Sequence, residues 1–318
     1  MKLFHLSDLH IGKQLHHYNL AAEQRKTLAQ IVALAKSEQP DAILIAGDIY
    51  DTPVPSAEAV SVFDAFLSAL CEIEPQIAVM IIAGNHDSAR RIDFASSILA
   101  KHEVYIAGLP PMQEGETIRR VTLADGYGEV DFYLLPFVKP GYVRKLFDEE
   151  IKGYDMAVRR LIEREEIDPA RRCVILSHQF YTAGGKEPAT CDSEIHYVGG
   201  VENVDAGVLA PFDYAALGHI HRSQHIGAEK CRYCGTPFPY SVSEAGEEKS
   251  VTVVELGEKG QPPAIRQIPL TPVREVKKLT GTLHEILEQA GEEVCHAFVS
   301  ITLCLLYTSP SPRDTERS

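Results

Sequence analysis

Five short apolar runs, at residues 2–6, 42–46, 78–83, 173–176 and 214–217, each stop on a polar cluster: SDLH, GDIYD, GNHD, SHQ and GHIH. Each run is rich in Ile, Val, Leu and Ala and has the length of a strand buried on both faces. Helical segments separate the first three. Residues 20–37 place Leu28, Ile31, Val32 and Ala35 at three- and four-residue spacings before Pro40, and residues 56–71 start on Ser56 and carry Val60, Phe63, Leu67 and Leu70 along one face. This β-α-β-α-β order predicts an α/β domain. In such domains ligands gather beyond the carboxyl ends of the strands, which is where the polar clusters fall.

The remaining chain is less regular. Residues 142–166 read as a charged, exposed helical stretch without chemistry of its own. After Gly218 glycines and prolines increase, and the β-branched run at 250–256 suggests hairpins completing a second sheet. The Pro-containing residues 257–271 read as a linker, and a small strand-and-helix unit begins after them. Residues 304–318 are rich in Ser, Pro and Arg without periodicity, so they are expected to be a disordered, non-native tail on a chain cut short near Thr302.

With 318 residues and 45% hydrophobic content the chain can bury a large core plus a smaller one. No apolar run reaches the roughly 18 residues of a membrane span, and the first strand starts at Met1 without room for a leader, so a cytoplasmic protein is expected. The seven cysteines fit free thiols better than a disulfide framework, and the lone Cys231/Cys234 pair lacks the partners of a zinc site. A formal net charge of −14 argues against a broad basic nucleic-acid surface. It leaves room for a phosphate substrate, because bound cations reverse the local field.

Asp8, His10, Asp48, Asn85, His86, His178, His219 and His221 all follow predicted strands of one domain and would converge on one edge. Asp8 and His10, two apart on an extended segment, point to the same side. Carboxylate, imidazole and amide oxygen without thiolate suit divalent manganese, iron or zinc and disfavour calcium and iron–sulfur clusters. The donors exceed what one catalytic ion with open positions requires. The surplus implies two ions sharing a carboxylate, about 3.5–4 Å apart. Ser7, Ser88 and Ser177 read as turn residues, not nucleophiles.

In order, SDLH, GDIYD, GNHDS, SH and GHIH resemble the five signature motifs of the calcineurin-like metallophosphoesterases. More narrowly, HLSDLHIGKQL, LIAGDIYDTPVPS, IAGNHDSARR, YAALGHIHRSQ and RYCGTPFPYS are similar to the SbcD nuclease subunits of bacterial SbcCD DNA-end-processing complexes. The resemblance implies a four-layer α/β/β/α sandwich with two mixed sheets over residues 1–270, and the start of a truncated small α+β capping domain at 271–303. It implies Asp8, His10 and His221 on one metal, Asn85, His178 and His219 on the other, and Asp48 bridging. His86 would face the scissile phosphate as a non-ligating catalytic group, and Asp51 would orient it. It further implies two Mn2+ ions, DNA as substrate, an SbcC-like coiled-coil ATPase as partner, a homodimeric nuclease core within a heterotetramer, and a cytoplasmic, nucleoid-associated location.

Arg90 and Arg91, and Lys13, His16 and His17, follow two of the motifs and are candidates for phosphate contacts, with the arginines preferred. Two readings compete with a DNA nuclease. One is another phosphodiesterase or phosphatase of the same superfamily, against which the longer SbcD-like words argue. The other is a metal-free scaffold of this fold, against which the complete ligand set argues.

Overall fold

The computed structural model describes residues 1–194 and 200–304. Two six-stranded sheets pack face to face. In the first, β1 (Lys2–Leu6), β2 (Ala42–Ala46), β3 (Ala78–Ile82) and β4 (Val104–Ala107) run parallel in chain order. In the second, β6 (Gly128–Leu135), β7 (Arg172–His178), β8 (Tyr214–Gly218) and β10 (Ala228–Tyr233) run parallel, edged by antiparallel β5 (Arg119–Asp125) and β9 (Gln224–Ile226).

The two-residue period of a strand explains why the runs are apolar throughout. On β2, Ala42, Leu44 and Ala46 face the other sheet, while Ile43 and Ile45 face helices. Helix α1 (Ala21–Glu38) covers that outer face with Leu28, Ile31, Val32 and Ala35. Beside it, α2 (Ala57–Cys71) is capped by the Ser56 hydroxyl, which accepts from the Ala59 N–H at 3.1 Å. Its buried stripe is Ala59, Val62, Phe63, Phe66 and Leu70; Val60, expected on that face, is exposed. The outer face of the second sheet is covered by α3 (Gly153–Glu163) through Ala157, Val158, Leu161 and Ile162. The layers are therefore α/β/β/α, as the resemblance implied.

Three expectations need correction. The helical stretch read over 142–166 is broken: two short turns, Pro140–Val143 and Arg144–Leu146, precede α3, which starts at Gly153 with φ 84°. The run at 250–256 does not complete the second sheet. It forms β11 (Ser250–Glu255), antiparallel to β1 in the first. The supposed linker contains β12 (Ala264–Pro269), which pairs along all of β11. Pro269 is tolerated there because β12 is the sheet edge.

Beyond Leu270, β13 (Val276–Gly281) and β14 (Phe298–Leu303) pair in parallel across α4 (Leu283–Gln289), whose start is fixed by a Thr282/Glu285 capping box. Val276 and Phe298 pack with Leu15, Leu20, Phe238 and Tyr240. Residues 305–318, most of the expected tail, lie outside the described residues. Among the described residues, no helix is long and apolar enough to cross a membrane.

Candidate metal centre

All eight candidates lie at carboxyl ends of parallel strands: Asp8 and His10 after β1, Asp48 after β2, Asn85 and His86 after β3, His178 closing β7, and His219 and His221 after β8. The turns that present them leave ordinary backbone space. Asp8, His10, Asp48 and His219 have φ of 52°, 40°, 51° and 98°. Non-glycine residues occupy this region at a cost that clusters at functional sites. The first two turns are laced together by main-chain bonds, from Asp8 N–H to Gly47 O at 2.9 Å, from His10 N–H to Asp48 O at 3.0 Å and from Ile11 N–H to Ile49 O at 2.9 Å. Gly84 and Gly218 precede ligands at points of close approach: a Cβ on Gly84 would strike the Asp48 carboxylate, and one on Gly218 the Ala46 carbonyl.

The side chains then form two groups that share one member. In the first, His10 Nε2 lies 3.1 Å from His221 Nε2, with Asp8 in the same cluster. In the second, Asn85 Oδ1 lies 3.0 Å from both His178 Nε2 and His219 Nδ1. Between them, Asp48 Oδ2 is 3.3 Å from His178 Nε2 and 3.6 Å from His10 Nε2. Two donors bonded at about 2.1 Å and at right angles to one ion stand about 3 Å apart. The separations within each group fit that requirement, and the oxygen and imidazole donors fit a divalent ion.

Outer partners fix which nitrogen faces inward. His178 donates Nδ1–H to the Ala46 carbonyl at 2.7 Å. Ser193 donates its hydroxyl to Glu244 Oε1 at 2.8 Å, so its oxygen accepts from His221 Nδ1–H at 2.7 Å. His10 Nδ1 sits 3.4 Å from Asp51 Oδ1. Each leaves Nε2 as the inward donor, the arrangement by which metal-binding imidazoles are oriented.

Burial sets the charge states. It pushes His10 down to about 4 and His219 well below the usual imidazole range, so both are neutral, the form that binds cations. Burial also raises the Asp8 carboxyl. Burial opposes the charge on both Asp48 and His178, yet their surroundings together outweigh it: His178, His10 and His86 take Asp48 well below the carboxylate range, and Asp48, Asp8 and the Ala46 carbonyl take His178 up to about 9.

His86 donates its backbone N–H to Asp48 Oδ1 at 2.9 Å, and its ring stands edge-on to His10 with centroids 4.8 Å apart. Asp51 meets it differently from the expectation. The Asp51 backbone carbonyl accepts from His86 Nδ1 at 2.9 Å, while its carboxylate is on His10 and 2.8 Å from Lys13 Nζ. Arg90 and Arg91 are exposed on the turn Ala89–Ile92, and Arg90 lines a cavity that Asn85 also lines. His16 and His17 sit exposed on a hairpin turn between Gln14–Leu15 and Tyr18–Asn19. Cys231 and Cys234 are buried free thiols.

Several site residues were not singled out from sequence. Asp87 accepts N–H bonds from Ile49, Tyr50 and Gly84 at 2.9–3.1 Å, tying the Asp48 and Asn85 turns together. The last letter of GNHD was its only signal. Ser193 and Glu244 had none, because they meet across 51 residues of chain. Glu194 takes the His221 backbone N–H at 2.6 Å in the same way.

Residues 1–223 match the family model for the calcineurin-like phosphoesterases. The chain is 33% identical over 293 residues to the SbcD component of the nuclease SbcCD from Staphylococcus epidermidis, covering 91% of this chain and 75% of that protein. To the same component from Staphylococcus saprophyticus it is 31% identical over 300 residues, covering 92% and 75%. Among solved structures, a dimetal phosphatase from Danio rerio aligns with a TM-score of 0.46 at 12% identity, over 86% of this chain and 99% of that one.

Proposed function

This chain belongs to the calcineurin-like phosphoesterases and, among them, to the group of SbcD nuclease subunits, and on that premise we propose that it is a two-metal DNA exonuclease and endonuclease acting at double-strand ends and hairpins. The observation that carries this reading is the convergence of a complete donor set, with one oxygen of Asp48 placed between a histidine of each group. Asp8, His10 and His221 would hold one ion, Asn85, His178 and His219 the other, and Asp48 both. Manganese is the ion we favour. Bound there, divalent ions would supply Lewis-acid charge to the phosphate oxygens and acidify water near neutral pH.

The chain's own residues do the rest. With Nδ1 committed to the Asp51 carbonyl, His86 keeps Nε2 for the scissile phosphate, where it would hold a non-bridging oxygen or pass a proton to the leaving oxygen. Asp51 acts as a positioning residue for both His86 and His10, through different atoms. Asp87 keeps the turn bearing Asn85 and His86 at its distance from Asp48. We further propose an SbcC-like ATPase partner, a homodimeric nuclease core in a heterotetramer, a domain boundary at 270/271 with residues 271–303 opening a capping domain, and a cytoplasmic, nucleoid-associated location.

The test is manganese-dependent cleavage of end-labelled duplex and hairpin DNA by the chain with an SbcC-like partner. Metal-dependent cutting that a chelator abolishes is expected; DNA left intact overturns the nuclease reading.

A further inference from the structure

Two cavities lie on the Asn85 side of the metal centre, of about 360 Å3 and about 840 Å3, and they share Arg90, Gly108, Leu109, Met112 and Tyr142 in their walls. They form one groove that starts at Gly84 and Asn85 and runs past Lys139 and Tyr142 towards Lys145 and Arg119. At its start the Phe137 ring lies 6.3 Å from that of His178, with Lys139 Nζ 5.9 Å from the Phe137 centroid.

The charges of this groove differ from those of the chain as a whole. Among the described residues, the side chains of Arg90 and Lys145 have no hydrogen bond or ion pair, and Lys139 has only its ring contact and a long-range attraction to Glu202. The acids that line it are largely committed: Asp87 to three backbone N–H groups, and Glu116 to the N–H groups of Met112 and Gln113. Its walls carry four cations, Arg90, Arg119, Lys139 and Lys145, against three acids, Asp87, Asp93 and Glu116, in a chain of net charge −14. Arg119 is engaged by the Ile106 carbonyl.

We propose that this groove binds a single strand of nucleic acid, guiding it to or from the metal centre. The inference rests on the phosphodiesterase reading above and assigns the part of the substrate that lies beyond the scissile bond. Cations spaced along a channel track successive phosphates, and a half-buried Tyr142 ring offers a stacking face that any base can use. The 360 Å3 section has the volume of a pocket for a drug-sized group, which suits one nucleotide and not the paired width of a duplex.

The test uses fluorescence anisotropy of a labelled oligothymidylate in EDTA, where nothing turns over, across a salt series. Lys139→Ala and Lys145→Ala remove exposed side chains, and each should flatten the slope of log affinity against log salt by about 0.7, the double variant by about 1.4. Tyr142→Ala should weaken binding about tenfold with the salt slope kept, and Tyr142→Phe should restore it. An unchanged slope in the double variant overturns the groove, as does a loss confined to blunt duplex. Manganese-dependent hydrolysis of bis(p-nitrophenyl) phosphate by the unmodified chain separates the two claims: hydrolysis with lysine-independent binding sinks the groove alone, whereas lysine-dependent binding without hydrolysis sinks the enzyme reading and keeps the groove.

Discussion

The two sheets contribute unlike halves of the candidate metal centre. The first supplies both carboxylates and the amide, with His10 and His86, all from turns beyond the ends of β1, β2 and β3. The second supplies imidazoles alone, His178 still within β7 and His219 and His221 just past β8. The first half is braced by its own main chain and by Asp87. The second half borrows its bracing: His178 donates to the Ala46 carbonyl of β2, and the His219 backbone N–H donates to the Asp8 carboxylate at 3.0 Å. The negative charge of one sheet is therefore placed against the basic groups of the other, and the donors are in register only while the sheets are packed.

Removing the residue that joins the halves should have the largest effect. Asp48→Ala takes the shared oxygen from both groups. Its turnover should fall well beyond the roughly 100-fold cost of losing an outer partner, with calorimetric titration recording weakened binding of both ions. Next, His86→Ala should lower turnover by roughly 10^2–10^4-fold while both ions still bind, measured by metal content after gel filtration. Loss of an ion would instead make His86 a ligand.

Weakening the brace of the second half gives a smaller, one-sided effect. Ser193→Ala frees His221 Nδ1 from its fixed acceptor and should cost about 10–100-fold in affinity for one ion, leaving the other close to unmodified. Equal weakening of both would contradict the division between the sheets. The corresponding change in the first half, Asp87→Asn, turns an amide N–H towards backbone donors and should cost about 2–3 kcal/mol of stability in urea unfolding.

The smallest expected effect is a pH dependence at the sheet interface. His5 on β1 bonds through Nδ1 to the Tyr214 hydroxyl on β8 at 2.8 Å, and burial pushes its imidazole down to about 3. The unfolded chain binds a proton there below about 6.5 and the folded chain does not, so this contribution is intact above 6.5 and is lost as pH falls towards 3. The slope is about 1.4 kcal/mol per pH unit. In chelator, the stability lost between pH 7 and pH 5 should be about 2 kcal/mol smaller in His5→Gln than in the unmodified chain.

The contrast between the sheets also explains what was legible beforehand. Strands β1, β2 and β3 are buried on both faces, so each is a continuous apolar run ending at its polar cluster, and the candidate donors there could be located directly. Strand β5, RRVTLAD, lies at an edge with Val121 as its one fully buried side chain, and it reads like surface. Strand β12 is exposed for the same reason and was taken for a linker. Within the site, residue types named the donors, but their outer partners depend on folding. Nothing in the spacing of Asp51 says that its carbonyl serves His86 while its carboxylate serves His10 and Lys13.

The central claim is that two ions are held across the sheet interface with Asp48 between them. Anomalous diffraction at the manganese edge, from crystals of the unmodified chain grown with Mn2+, tests it directly. The account predicts two peaks about 3.5–4 Å apart, one beside Asp8, His10 and His221 and one beside Asn85, His178 and His219, both touching Asp48. A single peak, or density at Cys191, His221 and Glu244 instead, would contradict it.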